Sequence, residues 1–239
     1  MITFIKLFKN KFKYLLISGL IAGFIIPGLG ISYILFPLTD SIFLPGQLRP
    51  QTDRIPITKI SAKPYYADYM ALKAHFETQI YRSYCGVASS VIVLKALGYD
   101  ISQKTFFDNE KTNGQRSFYK VFFTGMSLVD LNGLLQSYGV STRLHYASDI
   151  NISEFREILK KNMKNPKNYV LVNYFRAPLG QGDIGHISPI GAYDELTDEV
   201  LIMDVTTYNY PPVWVKLTLL FNAMNTLDAE HTRGFVEIF

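Results

Sequence analysis

Cysteine and tryptophan each occur only once in this chain of 239 residues. A single cysteine excludes an internal disulfide, and it excludes any metal site built on paired cysteines. Its position, residue 85, also excludes a lipid-modified cysteine near the N-terminus. The cysteine count leaves the redox compartment of the protein open, and it directs attention to the one thiol that is present.

Acidic residues are absent before Asp40, whereas that stretch carries four lysines: Lys6, Lys9, Lys11 and Lys13. The formal net charge of +4 comes from these four, because 24 − 4 = 20 basic residues face 20 acidic residues from Asp40 onward. A neutral remainder has no electrostatic reason to bind DNA or RNA. With 48% hydrophobic and 14% aromatic residues, the chain can bury one substantial core.

Residues 15–36 form an uncharged stretch of 22 residues directly after the lysines. As a helix it would extend about 33 Å, enough for a hydrocarbon core of about 30 Å. The lysines predict a cytoplasmic N-terminus and an extracytoplasmic, periplasmic domain held by this membrane anchor. The alternatives are a signal peptide that is cleaved on export and, third, a buried helix of a soluble domain. We therefore divide the chain into a basic N-terminus (1–14), a transmembrane or signal segment (15–36), a proline-rich extended tether (37–64) and a catalytic domain (65–239).

Within residues 65–239 the helical patterns come first and the strand patterns follow, which predicts an α+β fold. Helices are predicted after Cys85, over 128–138 behind a Ser127–Asp130 capping box, from Ser153, and near 217–227. Antiparallel strands are predicted at 169–175, 187–193, 200–205 and 234–239, where β-branched and aromatic residues are concentrated.

Cys85 lies just before a helical apolar pattern, with Gln79 six residues upstream. A helix N-terminus or a neighbouring imidazolium can lower a thiol pKa from about 8.5 to about 3.5–7.5, which yields the nucleophilic thiolate. Gln79 then offers an amide that can donate to an oxyanion. From position alone, a buried structural cysteine and a surface glutamine stay open as alternatives.

Of the four histidines, His186 stands out because it opens a predicted strand after a glycine-rich loop. The next predicted strand returns through a hairpin and ends at Asp204. A carboxylate in that position can accept the imidazole N–H and fix the useful tautomer. Taken singly, a structural histidine and a capping aspartate are the simpler readings; their placement on one hairpin favours a catalytic pair.

These segments resemble those of phytochelatin synthases, papain-like glutathione γ-glutamylcysteinyltransferases, and they occur in the family order. The matching segments are Gln79 with Tyr84–Ser89, Gly185–Gly191, Leu201–Val205 with Tyr210–Val215, and Thr232–Phe235. The chain resembles the short prokaryotic members, which tend to hydrolyse glutathione, because it ends at Phe239 without the cysteine-rich extension of the plant enzymes.

The resemblance implies a papain-like fold and a role for each matching residue. Cys85 would be the nucleophile, His186 the base, Asp204 the orienting acid and Gln79 the oxyanion donor. Arg176 and Arg233 would bind the carboxylate of the γ-glutamyl unit, and Asp228 its amino group.

The implied substrate is glutathione, with no tightly bound cofactor; a divalent metal such as cadmium or zinc would enter as a glutathione thiolate complex. Besides the membrane, no further partner is indicated, and the oligomeric state, including a homodimer, stays open. Two other functions also stay open: a leader-cleaving cysteine peptidase, and a membrane-tethered domain that binds thiol peptides without turnover.

Overall fold

The computed structural model describes residues 49–50 and 65–239. The predicted basic N-terminus (1–14), the transmembrane or signal segment (15–36) and all but two residues of the predicted tether (37–64) lie outside the described residues. Within the described ranges, no helix has the length and apolar character needed to cross a membrane.

Helices of 65–239 fall mainly in its first half, as the sequence predicts. The α-helices are α1 (Ala67–Lys73), α2 (Cys85–Ala96), α3 (Glu110–Gln115), α4 (Phe118–Thr124), α5 (Leu128–Ser137), α6 (Ile152–Asn162) and α7 (Leu217–Met224). Short 3₁₀ turns follow at Ala147–Asp149 and Ala177–Leu179.

Strands pair antiparallel throughout the described chain. They are β1 (Arg49–Pro50), β2 (Thr142–Tyr146), β3 (Tyr169–Phe175), β4 (Gly185–Asp194), β5 (Glu199–Ile202), β6 (Val213–Lys216), β7 (Leu227–Asp228), β8 (His231–Thr232) and β9 (Gly234–Ile238). Seven of these form one sheet in the order β1-β6-β5-β4-β3-β9-β2, and β7 pairs with β8. This mixture of helices and an antiparallel sheet confirms the predicted α+β class.

Local sequence signals determine where several elements begin and end. In α5, Ser127 accepts a hydrogen bond from the Asp130 backbone and the Asp130 side chain accepts from the Ser127 backbone, which confirms the predicted capping box. The α2 helix stops before Gly98, whose φ of +96° suits glycine, as predicted. The start of α6 was predicted at Ser153, but its capping residue is Asn151, paired with Glu154.

Hydrophobic side chains on the two faces of the sheet form two separate cores. In β3, Tyr169 and Leu171 belong to the core shared with α1, α2 and α5, whereas Val170, Val172 and Tyr174 point to the core shared with α6 and α7. This alternation follows from the two-residue period of a strand. The sheet is thus covered on both faces, and α2, with every residue from Gly86 to Leu94 buried, is the central helix of the first core.

Candidate active site

Cys85 is the first residue of α2, and it is partly exposed although the helix behind it is buried. The first turn of a helix has backbone N–H groups without intrahelical partners, and they stabilise negative charge. One turn further on, the buried Ser89 hydroxyl donates to the backbone carbonyl of Ile187 over 3.0 Å. Because Ile187 follows His186 in β4, this bond holds the start of α2 against the histidine.

The imidazole of His186 lies between the thiol and the buried carboxylate of Asp204. His186 Nε2 is 3.0 Å from Asp204 Oδ1, and the imidazole is also hydrogen-bonded with the Cys85 thiol. His186 is 4% exposed and Asp204 is fully buried. The three residues that the sequence proposes as nucleophile, base and acid are therefore together. His186 lies in β4 as predicted, whereas Asp204, which was predicted to end a strand, lies two residues beyond the end of β5.

The charges of this site support a thiolate and an imidazolium. Burial by itself would raise the pKa of Cys85, but the hydrogen bond and charge of His186 outweigh it, so the pKa lies below its ordinary value. Burial and the Arg176 charge would lower the pKa of His186, yet the Asp204 carboxylate prevails and raises it. Burial would raise the pKa of Asp204, but Arg176 and His186 hold it well below its usual range.

Gln79 precedes the nucleophile, and its side-chain amide is bonded to the loop that leads to Cys85. Its Nε2 donates to the carbonyls of Tyr81 (2.9 Å) and Arg82 (2.8 Å), which uses both N–H groups. Its backbone N–H donates to the Val205 carbonyl over 2.9 Å, directly after Asp204. Gln79 thus links the loop before Cys85 to the segment that carries Asp204, and both N–H groups of its side-chain amide are bonded to backbone carbonyls.

Arg233 and Asp228 lie together near the start of β4. Arg233 Nη2 is 3.4 Å from Asp228 Oδ1, and the Asp228 side chain is one-third exposed. A Cβ on Gly185 would lie 3.1 Å from Arg233 Nη2, so the absent side chain at this position lets the guanidinium approach the residue next to His186.

Arg176 and Arg233 have different partners within the protein. The Arg176 guanidinium is buried and bonded to Asp204, Thr206 and Gln181, whereas Arg233 is paired with Asp228. The two arginines that the sequence grouped as one binding pair therefore contact different acids. Binding of a substrate carboxylate by Arg176 stays a prediction.

Sequence reasoning missed two residues that support the site. Thr206 donates through its backbone N–H (2.8 Å) and its hydroxyl (2.6 Å) to Asp204 Oδ1, and the Asp-x-Thr spacing is a local signal for such a turn. Asn173, buried in β3, donates to Asp228 Oδ2 over 3.2 Å. No local signal marks Asn173, because its partner lies 55 residues away.

Metal ligands are not clustered in the part of the chain that the structure describes. There, no group of three or more His, Cys, Asp or Glu side chains is arranged to hold a metal ion.

A model of the phytochelatin synthase family matches residues 52–235 of the chain. Glutathione gamma-glutamylcysteinyltransferase 3 of Lotus japonicus is 34% identical over 165 residues, which cover 67% of this chain and 34% of the relative. Glutathione gamma-glutamylcysteinyltransferase 1 of Arabidopsis thaliana is 32% identical over 177 residues, which cover 71% of this chain and 36% of the relative. The glutathione gamma-glutamylcysteinyltransferase of Schizosaccharomyces pombe is 26% identical over 176 residues, which cover 71% of this chain and 42% of the relative. The matched region spans 34% to 42% of the length of these relatives.

Proposed function

The chain belongs to the phytochelatin synthase family, and on that premise we propose that it is a glutathione γ-glutamylcysteinyltransferase that also hydrolyses glutathione. One observation carries the proposal: the only thiol of the chain is hydrogen-bonded with an imidazole that is also bonded, through Nε2, to a buried aspartate. A helix that begins with the nucleophile, and a sheet that carries the base with the acid directly after one of its strands, also support a papain-like fold.

Acylation begins when the Cys85 thiolate attacks the carbonyl carbon of the Cys–Gly peptide bond of glutathione. A C–S bond forms and the C–N bond breaks, while the His186 imidazolium gives its proton to the departing glycine amine. The product is a γ-glutamylcysteinyl thioester on Cys85 and neutral His186.

Deacylation uses the same imidazole as a base. His186 takes a proton either from water, which releases γ-glutamylcysteine, or from the amine of a second glutathione, which yields a phytochelatin. Asp204 keeps the ring oriented in both half-reactions, because its carboxylate holds Nε2.

The oxyanion of the tetrahedral intermediate would be stabilised at the start of α2. We assign this role to the Cys85 backbone N–H together with the Gln79 amide. To donate to the oxyanion, the amide exchanges one of its bonds to the Tyr81 and Arg82 carbonyls.

Recognition of the γ-glutamyl unit is assigned to Arg233 and Asp228. Arginine suits a carboxylate because its planar guanidinium can bond both oxygens, and the aspartate suits an amino group. Asn173 supports this pair through its bond to Asp228. A divalent metal such as cadmium or zinc would enter as a thiolate complex of glutathione, since thiolates bind these ions well.

For localisation, we propose that residues 15–36 anchor the chain and that the domain lies on the extracytoplasmic side of the membrane. A membrane-impermeant thiol reagent applied to intact cells, or to spheroplasts where an outer membrane is present, should then label Cys85. Labelling only after the cell membrane is permeabilised would contradict this orientation.

The activity is tested by incubating the purified full chain with glutathione, with and without cadmium or zinc, and measuring free glycine, γ-glutamylcysteine and phytochelatins. We expect glycine release and an acyl adduct on Cys85 by intact mass. The Cys85→Ala variant should release no glycine, because no other cysteine can replace the nucleophile. Glycine release by Cys85→Ala at the wild-type rate would refute the mechanism, and cleavage of a double-glycine leader peptide instead of glutathione would favour a peptidase.

A further inference from the structure

Arg176 follows β3 and is 3% exposed, which is unusual for an arginine. Its Nη2 donates to both carboxylate oxygens of Asp204, at 2.9 and 2.8 Å, and to the Thr206 hydroxyl at 2.7 Å. Its Nη1 donates to Gln181 Oε1 at 2.8 Å, and the guanidinium carbon lies 4.7 Å from the centre of the Tyr210 ring. The guanidinium is thus enclosed by protein groups.

Asp204 receives bonds from several directions, and each one orients the carboxylate. Oδ1 accepts from His186, from Arg176 and twice from Thr206, while Oδ2 accepts from Arg176 and lies 3.5 Å from the Tyr174 hydroxyl. These bonds hold the carboxylate in one orientation toward His186, because any rotation would break some of them.

Charge balance explains why a buried cation belongs here. An ionised aspartate beside a thiolate–imidazolium pair would give this interior site a net charge of −1, which is costly to desolvate. Arg176 brings the sum of Cys85, His186, Asp204 and Arg176 to zero. The sum is also zero when the proton returns from His186 to Cys85, so proton transfer leaves the site's net charge unchanged.

We propose that Arg176 is a positioning residue, which holds Asp204 as an oriented carboxylate against His186, and that it does not bind the γ-glutamyl carboxylate. The inference rests on the proposed roles of Cys85, His186 and Asp204.

Other titratable groups around Arg176 are tyrosines: Tyr174, Tyr208 and Tyr210. Burial raises the pKa of Tyr174 and of Tyr208, so both stay neutral in the working range. Arg82 acts on Tyr208 from the loop before α2. The carboxylate bonded to Arg176 is that of Asp204, and the groups near Arg176 that change charge in the working range are Cys85 and His186.

The test uses the thiol itself, because Cys85 is the only cysteine and its alkylation requires no substrate. Iodoacetamide labelling of the full chain is followed as a function of pH in the wild type, Arg176→Met and Arg176→Lys. The Arg176 charge favours the thiolate, so its loss in Arg176→Met should raise the labelling midpoint by about one pH unit. Arg176→Lys keeps the charge, so its midpoint should rise by no more than half as much as that of Arg176→Met. An unchanged midpoint in folded Arg176→Met would overturn the proposal.

Removing one partner of a buried ion pair destabilises a protein strongly, so a second comparison removes both charges. Asp204→Asn and the double variant Arg176→Met/Asp204→Asn differ only by the arginine. Because a positioning residue acts through Asp204, removing Arg176 should shift the labelling midpoint less in the Asp204→Asn background, where only its direct charge on the thiol is lost, than in the wild type. A shift of the same size in both backgrounds would show that Arg176 acts on the thiol without Asp204 and would overturn the proposal.

Kinetics with glutathione separate this role from a carboxylate clamp. Arg176→Lys should lower kcat and leave KM within about threefold, whereas Arg233→Lys should raise KM by about tenfold or more. A large rise of KM in Arg176→Lys, with its labelling midpoint unchanged, would establish the clamp instead. If the wild type does not turn over glutathione, the proposed function fails, but the labelling midpoints still decide the role of Arg176.

Discussion

Because Asp68 in α1 is a buried carboxyl, we predict that the protein loses stability as the pH rises. It is 4% exposed, and its Oδ2 has no hydrogen-bond partner. Burial raises the pKa of this carboxyl from 3.8 to about 8. Between these two values the folded state keeps a proton that the unfolded state has released, so the free energy of unfolding falls as the pH increases through this window.

The size of the effect follows from the shift. The difference between the two pKa values is 8 − 3.8 = 4.2 units, and one unit corresponds to about 1.36 kcal/mol. Between pH 5 and pH 8 the Asp68 carboxyl should cost about 4 kcal/mol of unfolding free energy. Asp68→Asn removes this titration, so the variant should gain about 4 kcal/mol over the wild type across the same interval.

The measurement is urea unfolding of the full chain in mild detergent at pH 5 and pH 8, followed by the fluorescence of Trp214. This tryptophan is the only one in the chain and is 2% exposed. Asp100→Asn, which changes an exposed aspartate, is the matched control and should show no such gain. A difference between Asp68→Asn and the wild type that is the same at both pH values would refute the reasoning.

Two further predictions concern the supports of the fold. Ser127→Ala removes half of the capping box of α5 and should lower the free energy of unfolding by about 1 kcal/mol in the same urea assay; no loss would mean that the cap is dispensable. Gly234→Ala should cost about 3 kcal/mol or more, because the added Cβ would collide with the backbone carbonyl oxygen of His145. A soluble Gly234→Ala protein with wild-type stability would contradict the close approach of β9 to β2.

The sequence predicts those helices and strands whose ends and hydrophobic periodicity are determined by residues close together along the chain. The β3 strand was predicted with its observed bounds, 169–175, because it is a run of β-branched and aromatic residues. The α4 helix was missed, since Phe118–Thr124 is short and aromatic, and it forms on a Ser117 cap within an aromatic cluster. The β2 strand was also missed because its residues mix polar and apolar types, and its partner β9 lies about 90 residues away along the chain.

The site shows the same division between local and long-range information. Cys85 at a helix start and the hairpin that joins His186 to Asp204 could be predicted from spacing. The partners of Arg176 could not, because a bond between residues 28 positions apart depends on how β3 and the segment after β5 pack. Whether an arginine faces substrate or a buried acid is decided by tertiary structure, and the family resemblance alone grouped it with Arg233.

The hairpin also implies an order of assembly for the site. His186 and Asp204 are 204 − 186 = 18 residues apart, whereas Cys85 and His186 are 186 − 85 = 101 apart. Closing the shorter loop costs less chain entropy, so the imidazole–carboxylate contact can form with the hairpin, before the helix that carries the thiol has docked. Pulsed alkylation during refolding should then show the acid-shifted thiol only in the last phase. Reactivity of this one sulfur atom at low pH would thus report the completed fold, because in partly folded chains the thiol keeps its ordinary pKa and reacts only at higher pH.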